Sequence, residues 1–302
     1  MTLHQLSLLP TGSTRPDIEI REALPEDAGD MARILFQAFG RFHAHHNFAP
    51  DFPVLSFAEA LVCGAINDPS TYGVVAVMNG RVVGSNFLSE GDPIRGVGPI
   101  SVDPAIEDSG IGRKLMHAVI ARGAGAAGTR LLQDAFNTKS MALYASLGFS
   151  AREPLAVMTG RPRDMPPAGA MVRPMTPGDL PQVEELARRV HGFPRTGDVK
   201  AALQRGTPLV LDGESRIRAY MTMPGLWLLN HAVAETEADM MALVLGAAAA
   251  SREPIAFLVP IRSARFFRWC LGQGMRIVKP MTLMTRGDYN EPQGAWMPSV
   301  LY

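Results

Sequence analysis

A chain that resembles itself is constrained to fold as related units, and this one resembles itself at two places. "IREALPEDAGDM" (20–31) and "VRPMTPGDLPQV" (172–183) share arginine, proline and aspartate at an offset of 152. "GFSAREPLAVMT" (148–159) and "GMRIVKPMTLMT" (274–285) share glycine, proline, methionine and threonine at an offset of 126. Both ends of a unit recur, but 26 residues (152 − 126) have gone from its middle. The competing interpretation is two unrelated α/β domains. Either way, 302 residues suit two cores better than one. "RPRDMPPAGA" (161–170) is rich in proline, lacks an apolar pattern and reads as the linker. The expected organisation is a loose tail at 1–16, a first domain at 17–160, the linker at 161–170 and a second domain at 171–302.

Composition excludes several classes of function. Apolar residues make up 47% of the chain, enough for a large core. Lysine plus arginine equals aspartate plus glutamate at 29 each, so there is no long-range field to gather nucleic acid or an acidic membrane. Two cysteines, Cys63 and Cys270, are too few for a disulfide framework and suggest a reducing compartment. The first residues lack a basic, then apolar, leader pattern. The apolar run "MMALVLGAAAA" (240–250) is shorter than the roughly 20 residues a bilayer demands. The expectation is a cytoplasmic protein with no membrane and no nucleic-acid partner.

Periodicity supplies the elements of the first unit. "DIEIREA" (17–23) alternates as a strand, and Pro25 opens a helix whose apolar face is Ala28, Met31, Ile34, Leu35, Ala38 and Phe39. "YGVVAVMNGRVVGSNFLS" (72–89) is a hairpin turning at Asn79-Gly80. "VGPISV" (97–102) is a further strand and "RLLQDAF" (130–136) another. A helix capped by Asn137 or Thr138 follows to Gly148, then a strand over 152–160.

Between Val102 and the next helix lies "VDPAIEDSGIGRKLM". The pair Gly110/Gly112 proves nothing alone, because a chain with 29 glycines in 302 residues holds about three G-x-G by chance. Context gives it meaning. Helix-start amides are unpaired and positive, glycine admits an anion to the backbone, and Arg113 and Lys114 add charge. A strand, a glycine turn and a helix can therefore hold a pyrophosphate. A dinucleotide fingerprint is a weak reading, since Leu115 stands where the third glycine belongs and the strand is about the fourth.

Val102, Pro104, Gly110 and Gly112, followed by Asn137, Tyr144, Gly148 and Phe149, resemble the two sequence motifs of the GNAT superfamily of N-acetyltransferases. The order of elements over about 17–160 resembles it too. The resemblance implies an α/β (α+β) fold of two GNAT-like domains, each a mixed, mostly antiparallel sheet splayed in the middle and flanked by helices. It implies acetyl-CoA as co-substrate and acetyl transfer to a primary amine of a small molecule or peptide by direct attack in a ternary complex. No metal is expected, since His43, His45 and His46 stand without H-x-x-x-H spacing or paired cysteines. Ile100, Ser101 and Val102 would face the pantetheine and thioester. Ser109, Gly110, Ile111, Gly112, Arg113 and Lys114 would face the pyrophosphate, with Asn137 and Tyr144 also at the cofactor. Tyr144 is the expected general acid, since a phenol can protonate a departing thiolate. One departure is Glu107, with Asp108 beside it, where the family has glutamine or arginine; Glu107 is expected to face solvent.

The base is less defined. "VGPISV" offers no carboxylate, leaving Asp134 and Glu90 as candidates. "FGRFHAHHNFAPDFP" (39–53) reads either as a helix end with solvated histidines or as an acceptor wall in which His46 relays the amine's proton. In the second unit, "GLWLLNHAV" (225–233) reads as the strand before the central helix. No glycine turn follows it, and Cys270 stands at the tyrosine position, so the unit reads as a degenerate copy. The alternative to an enzyme is a non-catalytic acyl-CoA-binding regulatory or interaction protein. A homodimer is left open.

Overall fold

The computed structural model describes residues 17–106 and 109–302. The expected tail and the expected orientation of Glu107 lie outside the described residues. The first stretch runs β1 (Ile18–Glu22), α1 (Ala28–His45), α2 (Leu55–Ile66), β2 (Thr71–Met78), β3 (Arg81–Ser89), β4 (Ile94–Val97), β5 (Ser101–Val102), α3 (Ile111–Arg122), β6 (Gly128–Asp134), α4 (Thr138–Ser146) and β7 (Ser150–Gly160). The second runs β8 (Met171–Pro174), α5 (Leu180–His191), α6 (Thr196–Arg205), β9 (Leu209–Asp212), β10 (Ile217–Met221), β11 (Ala232–Ala234), α7 (Glu237–Ala250), β12 (Ile255–Pro260), α8 (Ala264–Gly272), β13 (Arg276–Gly287) and β14 (Ala295–Met297). Leaving aside β5 and β14, one order of strands and helices occurs twice.

The shared residues of the first sequence match do one job in both places. Arg21 donates to both carboxylate oxygens of Asp27 at 2.7 and 2.9 Å, and Arg173 does the same to Asp179 at 2.8 and 2.9 Å. Each aspartate also accepts a backbone N–H at the helix entrance, from Leu24 at 2.8 Å and from Thr176 at 2.7 Å. The carboxylate thus meets an amide the helix cannot bond itself. The Asn79-Gly80 turn joins β2 to β3 with both residues at positive φ, 52° and 75°, which suits the twist of a two-residue hairpin.

The larger sheet has nine strands in the order β1-β2-β3-β4-β6-β13-β7-β12, with β5 on β3. The smaller is β14-β11-β10-β9-β8. The last strand of each stretch is exchanged. β13 sits between β6 and β7, and β7 pairs with β12. The two segments that match in sequence, 148–159 and 274–285, are therefore antiparallel neighbours. Odd and even positions of β2 divide the core. Val74 and Ala76 pack with Ile111 and Leu115 of α3, while Val75 packs with Met31, Ile34 and Leu35 of α1.

β4 and β6 are the parallel pair, bonded only from Ile94–Gly128 to Gly96–Arg130. Beyond that register they part, because β5 stays with β3. This corrects the expected single strand over 97–102: Gly98-Pro99 interrupts it, and proline has no N–H to give a ladder. The expected strand over 225–233 is found only at its end. Residues 224–229 turn tightly, with Leu226 N–H on Met223 and Leu229 N–H on Leu226, and the strand begins at Ala232. Apolar content there serves a turn that packs Leu226, Trp227, Leu228 and Leu229 on the α1–α2 core.

Candidate active site

The parting of β4 and β6 opens a cavity of about 810 Å³, within the range of small-molecule sites. Ser109, Gly110, Ile111, Gly112 and Arg113 line one end; Ile100, Ser101 and Val102 line an edge; Leu131, Gln133 and Asp134 line the other edge. Asn137 and Tyr144 of the next element also face it. The cavity thus brings together every residue expected at the cofactor except Lys114.

Lys114 departs from expectation for a geometric reason. Its amide already bonds the Gly110 carbonyl at 3.2 Å, and its ammonium reaches the Ile18 carbonyl at 3.4 Å. The amides left unpaired by the helix ladder are those of the first turn, Ile111 to Arg113. Gly110 has φ +81°, a backbone that side chains resist, so it shapes the turn. Gly112 is different: a Cβ there would meet only Leu143 and Val102 at 3.6 and 3.9 Å, so the position is open toward the cavity. The two glycines have two separate jobs.

Tyr144 is 6% exposed and its phenol pKa is pushed up to about 12, first by burial and also by the nearby Asp134 charge, with Ser140 pulling the other way. A buried phenol of this kind holds its proton at neutral pH and can donate it. Asn137 is the helix cap: its Oδ1 accepts from Ser140 N–H at 3.0 Å. Its place on the cavity wall makes cap and lining one residue.

Phe39, Phe42, Phe52 and Phe136 line the opposite end of the cavity, with Trp227, Leu228 and Val300 from the second stretch. His46 is half-buried in this wall, its ring 5.1 Å from Phe136 and 4.7 Å from Phe42. The picture of a helix end with solvated histidines fails at His43, which is 0% exposed. Glu90 is not at the cavity; it is held by Arg122 at 3.0 Å on the surface of β3 and α3.

His43, Asp51, Asp134 and Lys279 form a buried cluster behind this end. Lys279 Nζ donates to both oxygens of Asp51 at 2.7 Å and forms an ion pair with Asp134 Oδ1 at 2.7 Å. His43 Nε2 is 2.9 Å from Asp134 Oδ2 and 3.1 Å from Lys279 Nζ. The donor atoms of His43, Asp51 and Asp134 lie within 4.8 Å of one another, a spacing suited to a cation, and the lysine ammonium is centred on them. Burial pushes Asp51 above the usual carboxylate range despite the pull of Lys279 and His43. Burial pushes Asp134 up too, but the His43 hydrogen bond and the Lys279 charge outweigh it, and the net shift is downward.

Sequence reading missed Asp51, Lys279 and Trp227. One signal was there: Lys279 interrupts an apolar strand at the position where the first match has Glu153.

Comparison with known proteins places this architecture. The sequence pattern of the acetyltransferase (GNAT) family matches residues 32–149. No curated protein matches the chain in sequence. Among solved structures, a candidate acetyltransferase from Pyrococcus horikoshii aligns over 100% of both chains at 17% identity and TM-score 0.73. A GCN5-related N-acetyltransferase from Sphaerobacter thermophilus aligns over 93% of this chain and 100% of its own at 15% identity and TM-score 0.59. The glucosamine N-acetyltransferase region of a fungal multi-domain β-N-acetylglucosaminidase aligns over 90% of this chain and 38% of its own, at 13% identity and TM-score 0.64. The chain has the GNAT fold, and residues 32–149 carry the sequence pattern of a GNAT acetyltransferase domain. Among the described residues no helix is long and apolar enough to cross a membrane.

Proposed function

We propose that the protein transfers acetyl from acetyl-CoA to a primary amine of a small molecule or peptide, by direct attack in a ternary complex. The observation that carries this reading is one continuous cavity that joins a glycine-lined helix start, a splayed strand edge, a buried tyrosine and an aromatic end with two carboxylates. Pyrophosphate would sit on the amides of Ile111 to Arg113, and pantetheine along Ile100 to Val102. The amine would enter from the aromatic end, where His46 takes its proton. The amine then attacks the thioester carbonyl; the C–S bond breaks, the Tyr144 phenol gives its proton to the thiolate, and the nitrogen returns one.

In this reading the second stretch is a degenerate unit that shapes the acceptor end. α7 starts without glycine, its Asp239 amide is taken by Thr236 Oγ1 at 3.1 Å, and Glu237 and Asp239 put negative charge where a phosphate would go. Cys270 on α8 is buried, its thiol pushed up to about 12 by burial, so it is an inert core residue.

The test is release of free CoA across simple amines, amino acids, peptides, aminoglycosides and glucosamine. Release that depends on one amine class supports transfer. Acetyl-CoA binding without release from any of them would leave a binding protein instead.

A further inference from the structure

The acceptor end holds two nearly buried carboxylates. Asp51 and Asp134 both face the cavity, yet their side chains are only 8% and 7% exposed. Two such groups around one point repel, and burial adds to the cost of their charge. What opposes this is Lys279, which is 1% exposed and does not line the cavity. It comes from β13, a strand of the second stretch inserted beside β6, and its ammonium also lies 5.1 Å from the centre of the Trp227 ring.

We propose that Lys279 is a positioning residue that holds Asp51 and Asp134 together as an anionic seat for the ammonium group of the acceptor. Each Asp51 oxygen already accepts one hydrogen bond from Lys279 and retains a lone pair for another donor. Two carboxylates against one ammonium leave a charge of −1 while the imidazole is neutral. The walls add to this, since Phe42, Phe52, Phe136 and Trp227 present aromatic rings, which favour a cation over a neutral group. The seat therefore selects an organic cation, an ammonium on an apolar body, over anionic or neutral acceptors. The inference rests on the amine-acceptor reading above and adds the class of amine and the residue that sets it.

The groups facing the two carboxylates are His43 from α1, Lys279 from β13 and, across Asp134, Tyr144 from α4; Arg41, His45, His46, Arg113 and Lys139 line the same cavity. Lys279 lowers the proton affinity of both carboxylates. Without it both rise, and the seat is protonated at a pH where it is now charged.

The experiment is a titration of CoA-loaded enzyme, which cannot turn over, with benzylamine and with benzyl alcohol as its neutral counterpart. Wild type is expected to favour benzylamine at least tenfold near pH 7. Asp51→Asn should lose that preference. Lys279→Met should lose it at the lower end of a pH series and regain it as pH rises and the carboxylates ionise. Equal binding of the two probes by wild type overturns the proposal, and so does a loss in Lys279→Met that is the same at every pH. If Lys279→Met does not fold, Lys279→Gln takes its place with the same two readings, while wild type and Asp51→Asn decide the seat itself. CoA release is read separately: a cation preference without any acetyl transfer would remove the enzyme reading and leave the seat.

Discussion

Residues 17–160 and 171–287 run through the same strands and helices, yet the turn before α3 lines the large cavity and the matching turn before α7 does not. The frame is common to both: Arg21–Asp27 and Arg173–Asp179 brace the two helix entrances alike. The differences fall at a few positions. Gly110 and Gly112 precede and open α3, whereas Thr236, Glu237 and Asp239 close the start of α7. Tyr144 faces the cavity, and Cys270 at the matching position is packed in the core. On the proposed reading, a fold is retained while its anion site is lost, because the packing that holds the strands does not depend on the turn proposed to hold the phosphate.

The most severe way to test this contrast is to remove the second stretch. β7 bonds only to β13 and β12, so a chain ending at residue 165 leaves β7 without its sheet partners and the site without Lys279. We expect no measurable CoA release and poor solubility. Full activity and stability of that fragment would make the second stretch an appendage.

Next in size is the tyrosine contrast. Tyr144→Phe keeps the ring and removes the proton, and kcat should fall by about 10²–10⁴ with the melting curve unchanged. Cys270→Ser should leave kcat where it is. An unchanged kcat in Tyr144→Phe, measured where chemistry limits the rate, would take Tyr144 out of the mechanism.

The glycine contrast should show in binding. Gly112→Asp puts a carboxylate at the open position and should weaken CoA at least tenfold, about 1.4 kcal/mol, with little loss of stability. Gly110→Val should weaken CoA too and also lower Tm, because φ +81° strains a branched residue. Calorimetric titration of wild type should give one CoA per chain; two would show a live second site.

The smallest effect probes what the two stretches share. Asp27→Asn and Asp179→Asn should each cost about 1 kcal/mol of stability, a typical value for a helix-start carboxylate. Hydrogen bonds from Arg21 and Arg173 hold the two carboxyls below the usual range. A depressed folded pKa means the stabilisation is complete above the unfolded value near 4, shrinks as pH falls below it and is gone only below the folded value. The gap in urea midpoint between wild type and each variant should therefore narrow from pH 7 to pH 3 without closing for Asp179→Asn, whose carboxyl is held the lower of the two. A gap for Asp27→Asn that does not narrow at all between pH 7 and pH 3 would assign the effect to shape and not to charge.

Much of the glycine-turn end of the cavity was legible in sequence because its signals are local. Asn79-Gly80, Gly110, Gly112, Asn137 and Tyr144 each act through neighbours a few residues away. The acceptor end was not, because it is assembled from α1, the α1–α2 loop, β6, β13 and the turn at Trp227. Nothing near Asp51 announces a lysine 228 residues later. The failed strand at 225–233 has the same origin, since apolar residues recruited to pack on another element look like a strand's own core. The break at Gly98-Pro99 sits inside an apolar run that reads as one strand, and the N–H that proline lacks is what ends the ladder there.

The exchange of β7 and β13 also sets a clock. Asp134 and Lys279 are 145 residues apart in the chain, so the first carboxylate is made well before its partner. At about 5–20 residues per second, a ribosome takes roughly 7 to 30 s to cover that distance. Through that interval the edges of β6 and β7 have no strand to bond, which is when a nascent chain is most exposed to pairing with another copy or to capture by chaperones. A domain that could close alone would be safe as soon as its own last strand emerged. Here protection comes only with the end of the second unit, so ribosome pausing between 160 and 276 should be felt as lost yield rather than lost specific activity.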